Sequence, residues 1–165
     1  MTEFRVLVAD KAQAQLYGMA SRRSALQSLQ CFVNPAAKVP ERALGSGRQG
    51  RVTSGVGGGR HAYQPKTPLK EHAEETFVRQ VGSALAKDAK LAGGAPIVLI
   101  AAPRLLGVYR RHLPAAVRAR IALEVKLDLA KLPVAELSKR VREALAVIPL
   151  SVSARFRTPR HRPAA

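Results

Sequence analysis

Residues 96–102, Pro96-Ile97-Val98-Leu99-Ile100-Ala101-Ala102, form a continuous apolar run closed by Gly93-Gly94 on one side and Pro103 on the other. A run this short reads as a strand. A strand apolar on both faces belongs between two layers, the setting of a parallel sheet. Helical patterns flank it. Upstream, Leu69, Ala73, Phe77, Val81, Ala84 and Leu85 share one helical face. Thr67 is the candidate N-cap, with Pro68 at the first helical position. Glu71, Glu74 and Glu75 are placed to complement the positive end of that helix, and Gly93-Gly94 to stop it. Downstream, Leu105 to Leu113 reads as a short basic helix beside Arg104, Arg110 and Arg111, and Pro114 restarts a further turn or two through Arg120. Ile121, Leu123, Val125 and Leu127 alternate with Ala122, Glu124, Lys126 and Asp128, the pattern of a half-buried strand. Pro133 starts the last helix, with Val134, Leu137, Val141, Leu145 and Ile148 on one face.

The amino-terminal part reads differently. Phe4 to Ala9 is a strand, Phe4, Val6 and Val8 on one face and Leu7 on the other, so it too belongs inside the sheet. Asp10-Lys11 is a turn. Ala12 to Met19 is a second strand. Ser21-Arg22-Arg23-Ser24 is a polar turn, and the stretch from Ala25 through Val33 is a third strand ending at Asn34-Pro35. Three strands with short connections make an antiparallel meander. The whole order, three strands, a long loop, then α-β-α-β-α, predicts an α/β fold: a mixed five-stranded sheet, antiparallel meander plus βαβ units, with flanking helices, ribonuclease H-like. One domain is expected over 1–148, with a long Gly/Arg-rich loop at 35–67. Residues 149–165, basic and proline-containing without apolar period, read as a flexible tail.

The chain has 165 residues and is 47% hydrophobic, enough for a core, yet only 4% aromatic, so that core is aliphatic. The net charge is +17. Such a charge destabilises a compact chain and points to polyanionic partners, RNA first, rather than to a small neutral substrate. The single cysteine, Cys31, excludes an intrachain disulfide, and its apolar surroundings predict a buried structural thiol. The amino terminus has no secretory pattern, and no stretch approaches the roughly 18 apolar residues of a membrane span. A cytoplasmic protein is expected.

Most of the chemistry-bearing sequence lies between Pro40 and Pro68, PERALGSGRQGRVTSGVGGGRHAYQPKTP. Arg42, Arg48, Arg51, Arg60 and Lys66 face a single acid, Glu41. Gly57, Gly58 and Gly59 allow close backbone approach to a ligand, their N–H groups can cradle phosphate oxygens, and Arg60 adds a planar fork. With His61 and Lys70 these form the expected RNA-binding set. No Gly-Lys-Ser or Gly-Lys-Thr follows the glycines, which argues against a nucleotide-hydrolysing loop. Arg155, Arg157, Arg160 and Arg162 add charge in the tail.

Other chemistries fit less well. His61 or His72 with Glu71, Glu74 and Glu75 lacks zinc-protease spacing, so no metal is expected, and no other cofactor. A nuclease of this fold needs converging carboxylates. The only aspartates are Asp10, Asp88 and Asp128, with Asp88 far along a helix. Ser46 and Ser54 have no recognisable triad partners.

The stretches VLVADKAQAQLY (6–17), VNPAAKVPERALGSGRQGR (33–51), GGGRHAYQPKTPLKEHAEETFVRQV (57–81) and VLIAAPRLLGVYR (98–110) resemble the bacterial host-attachment protein family. That family is similar in fold to the middle domain of archaeal and eukaryotic class-1 release factors and of Pelota. In release factors the glycine loop carries Gly-Gly-Gln, which promotes peptidyl-tRNA hydrolysis. Arg60 stands where that glutamine would follow Gly58-Gly59. The resemblance therefore implies a translation-factor-like protein docking on rRNA or tRNA at the ribosome, with catalysis not expected. Peptidyl-tRNA hydrolysis in ribosome rescue, and a non-catalytic role in host or surface attachment, are the alternatives.

Overall fold

A computed structural model of the chain describes residues 4–39, 67–91 and 95–147. Five strands form one open sheet: β1 (Phe4–Ala9), β2 (Gln13–Met19), β3 (Gln27–Val33), β4 (Ile97–Ala101) and β5 (Ile121–Val125), in the order β3-β2-β1-β4-β5. β2 runs antiparallel to both β1 and β3, whereas β1, β4 and β5 are parallel. Leu7 sits beside Leu99 in the β1–β4 ladder. This is the expected mixed α/β sheet, with the two doubly apolar runs at its centre.

Among the described residues four α-helices accompany it: α1 (Thr67–Leu91), α2 (Pro103–His112), α3 (Ala115–Arg118) and α4 (Val134–Ala146). Strand alternation splits the core in two. Leu7, Leu16 and Leu99 point to the layer of α1, α2 and α3, where they meet Phe77, Val81, Leu106 and Val117. Val6, Val8, Val98 and Ile100 point to the other face and pack on Leu137, Val141 and Leu145 of α4. Two helix layers on one sheet explain why β1 and β4 read as unbroken apolar runs. The far end of α1 is pinned to β1 by Arg5, whose Nε donates to Asp88 Oδ2 at 2.8 Å.

Three expectations need correction. Cys31 is exposed, not buried. β3 is an edge strand: Leu29 is 48% and Val33 60% exposed, and of its residues only Phe32 packs against the core under α1 and α2. Its ladder to β2 also slips between Leu16 and Tyr17, where Leu29 is the extra residue, a bulge that bends the edge. Leu69 and Val134 lie half exposed in the first turns of α1 and α4. And no acid lies in the first turn of α1: Glu74 pairs with Arg104 at 3.4 Å and Glu75 with His112 at 3.4 Å. Those glutamates tie α1 to α2 more than they answer its dipole. His112 is half-buried between Glu75 and Arg79.

α1 approaches α3 closely at Gly82. A Cβ there would stand 2.7 Å from Pro114 Cδ and 3.0 Å from Leu113 Cδ2. Gly82→Ala gains up to about 1 kcal/mol of helix propensity but costs about 1–3 kcal/mol of overpacking against a rigid proline ring. The melting temperature is expected to fall by roughly 2–6 °C in a thermal scan; a rise would mean the helices separate freely.

Candidate functional site

The carboxyl ends of β1 and β4 gather the described polar chemistry. β1 ends in a turn held by Asp10, whose Oδ1 accepts from the N–H groups of Ala12 at 2.6 Å and Gln13 at 2.7 Å. An aspartate after a strand does this because its short carboxylate reaches the N–H two residues on. Beside the turn lies Asn34, buried among polar bonds. Its Nδ2 donates to Lys11 O at 3.1 Å, its own N–H donates to Ala12 O at 2.7 Å, and its Oδ1 accepts from Ala36 N at 3.2 Å. Asn34 thereby caps a 3₁₀ turn, Pro35–Lys38, and staples it to the β1–β2 turn. That turn packs against α1. The segment 40–66 thus departs from one fixed root, after Val39, and rejoins at another, Thr67, both at this end of the sheet. A groove of about 310 Å³ lies between the roots, with Lys11, Lys70 and Arg104 as its cations and Glu71 and Glu74 as its acids.

A second crevice, about 300 Å³, adjoins the groove directly over the strand ends. Ala9, Ala12, Ala102 and Leu105 make its apolar wall; Asp10, Asp128, Lys11, Lys131 and the Arg104–Glu74 pair supply its charge. α2 starts there. Its N-cap, Ala102, makes no side-chain cap bond, and no acid lies in its first turn. One turn further along α2, the Tyr109 hydroxyl is fully buried with no hydrogen-bond partner among the described residues. Leaving such a group unpaired costs about 1–3 kcal/mol. Burial pushes this phenol well above its ordinary pKa, and the nearby Asp10 carboxylate adds to the rise. Tyr109 therefore stays a protonated donor at neutral pH.

Of the residues singled out from the sequence for RNA, Arg42, Arg48, Arg51, Gly57, Gly58, Gly59, Arg60, His61 and Lys66 lie outside the described residues. So does the tail. Lys70 is described, exposed on the first turn of α1 and lining the root groove. Lys11, Asn34, Arg104, Tyr109 and Lys131 were not singled out as site residues. Asn34-Pro35 carried the available signal, a capping residue followed by proline, which also reads as a strand end. Asp10 and Asp128 line the same crevice, while Asp88 is at the opposite end of the sheet with Arg5. Among the described residues no three His, Cys, Asp or Glu side chains gather to hold a metal ion. No described helix is long and apolar enough to cross a membrane.

These elements define an α/β protein whose open mixed sheet carries a basic, glycine-rich segment rooted at the carboxyl ends of its parallel strands. Residues 5–141 match the model of the family described as "Protein required for attachment to host cells", and the chain belongs to that family. No curated protein matches the sequence. Similar solved structures include an archaeal protein, 11% identical with a TM-score of 0.45, over 87% of this chain and 37% of that one. They also include an archaeal translation termination factor, 10% identical with a TM-score of 0.45, over 92% of this chain and 41% of that one. The chain thus spans well under half the length of either.

Proposed function

We propose that this protein binds RNA by electrostatic docking, as a ribosome-associated factor of the cytoplasm, through the segment 40–66 and the basic tail. The observation that carries the reading is the distribution of charge. The chain has 28 Lys and Arg against 11 Asp and Glu. Within 40–66, Arg42, Arg48, Arg51, Arg60 and Lys66 meet only Glu41, and the tail arginines meet no acid at all. Fixed roots support the same reading, since Asn34 and the start of α1 present both ends of that segment beside Lys11, Lys70 and Arg104. Phosphate contacts supply affinity and position; base readout needs stacking surfaces, and at 4% aromatic the chain has few. Ester hydrolysis is left out, because Arg60 follows Gly58-Gly59 in place of a glutamine.

Sedimentation of lysate through gradients of increasing salt tests this. The protein is expected to travel with ribosomal subunits at low salt and to stay at the top at high salt. Protein at the top of the low-salt gradient, or co-sedimentation indifferent to salt, would sink the proposal. The family's description favours a second reading, a role in attachment at the cell surface. Protease added to intact cells distinguishes it: digestion of the protein would support attachment, and protection would support the RNA reading.

A further inference from the structure

We propose that the crevice over the carboxyl ends of β1 and β4 is a nucleotide site, taking the phosphate of a single nucleotide, free or at the end of an RNA chain, at the start of α2 and its base against the alanine wall. The inference goes beyond electrostatic docking and does not require segment 40–66.

The position follows from topology. β1 and β4 are adjacent and parallel, but the chain leaves β1 toward β2 and β3, and leaves β4 toward β5. Connections that diverge from neighbouring parallel strands open a crevice outside their carboxyl ends, where open α/β sheets bind ligands. About 300 Å³ is at the small end of ligand pockets, the scale of one nucleotide rather than a peptide or a dinucleotide.

The chemistry is two-sided, and that selects the ligand. On the anion side stand Lys11 and Lys131, both exposed and without an ion pair among the described residues. Arg104 joins them, its side chain 59% exposed and held to Glu74 at only 3.4 Å. The first turn of the ten-residue α2 lies between them, uncapped by any side chain and free of acids; Pro103 has no N–H, so it offers a phosphate its dipole and the N–H groups that follow. On the donor-accepting side stand the Asp10 and Asp128 carboxylates. Inorganic phosphate has only its P–OH to offer those acceptors. A nucleotide adds sugar hydroxyls and ring amino groups. The wall between the two sides is apolar, built from Ala9, Ala12, Ala102 and Leu105, and suits the face of a base.

Tyr109 is not among the residues that line the crevice: its hydroxyl is fully buried, with no partner among the described residues.

Calorimetric titration of the full chain with mononucleotides, the corresponding nucleosides and inorganic phosphate tests the site. One mononucleotide per chain is expected, with nucleoside and inorganic phosphate each weaker by about tenfold or more, the scale of losing a charge-assisted bond. Lys11→Ala with Lys131→Ala, both surface changes, is expected to weaken mononucleotide binding about tenfold or more at unchanged melting temperature. Tyr109→Phe, which changes no lining residue, is expected to leave mononucleotide binding unchanged. Absence of mononucleotide binding at millimolar concentration, phosphate binding as tightly as the nucleotide, or affinity untouched by the lysine changes each overturns the proposal. Trinucleotides phosphorylated at one end or the other separate the sources: competition with the mononucleotide assigns an RNA terminus, and none assigns the free nucleotide. A chain carrying Arg48→Glu, Arg51→Glu and Arg60→Glu separates this site from the docking segment. Retained mononucleotide binding there supports the crevice, and its loss places the nucleotide on the segment and overturns it. RNA docking by the native chain without mononucleotide binding sinks the crevice alone. Mononucleotide binding without salt-sensitive RNA docking sinks the docking reading alone.

Discussion

Titrated with a structured RNA such as ribosomal RNA, the full chain is expected to lose about a thousandfold in affinity between 50 and 200 mM salt, log affinity falling with log salt at a slope of roughly −4 to −6. The slope counts displaced counterions. If segment 40–66 and the tail neutralise about 5–8 phosphates, each contributes about 0.7 to 0.9 to it. Reversing Arg48, Arg51 and Arg60 to glutamate removes three of those contacts and adds repulsion. The slope is then expected to flatten by roughly 2 to 3, with an affinity loss that shrinks as salt rises. Changing Leu29 to Ala, on the uncharged edge of the sheet, should leave the slope alone. A slope near zero in the native chain, or one unmoved by the three reversals, would remove the case for this segment as the docking element.

The second large effect lies at the centre of the fold. Leu99→Ala is expected to cost about 2–5 kcal/mol in denaturant unfolding. Leu99 is 1% exposed, sits beside Leu7 in the ladder, and belongs to the cluster that α1 and α2 close over. The strands cannot collapse inward to refill the space, because their spacing is fixed by backbone hydrogen bonds. A loss of that size is a large share of the about 5–15 kcal/mol that holds most domains folded. The midpoint should drop with little change in slope, since the surface exposed on unfolding is nearly the same. Val33→Ala, at a position 60% exposed on β3, should cost no more than about 0.5 kcal/mol. Equal costs at the two positions would mean that the edge strand is covered in solution.

That contrast also marks how far the fold can be read from the residues. Val6, Leu7, Val98, Leu99 and Ile100 declare a doubly covered strand pair, because nothing polar interrupts them. The face shared by Phe77, Val81 and Leu85 declares a helix over that pair. Periodicity could not tell which strand ends up at the edge. Leu29, Cys31 and Val33 alternate as a core strand would, yet no helix layer reaches them, and coverage is a property of the assembled sheet rather than of the strand. The crevice escaped for a related reason. Lys11, Arg104 and Lys131 lie far apart in the chain, and nothing in the residue order ties one to another. Only the register of β1 against β4 brings their segments together. Asp10 was visible as a strand-terminal acid, but its engagement with the turn depends on backbone geometry that residue order does not display.

The same uncharged edge has a colloidal consequence. Among the described residues β3 pairs only with β2, and Gln27-Ser28-Leu29-Gln30-Cys31-Phe32-Val33 holds no lysine, arginine, acid or proline to discourage a second strand from joining it. The bulge at Leu29 and the mutual repulsion of two copies at +17, which acts over about 10 Å at 0.1 M salt, both oppose zipping along that edge. Charge is therefore this protein's solubiliser as well as its means of reaching a polyanion. Conditions that quench it, concentrated salt or saturation of the arginines, bring the sheet edges within reach of each other.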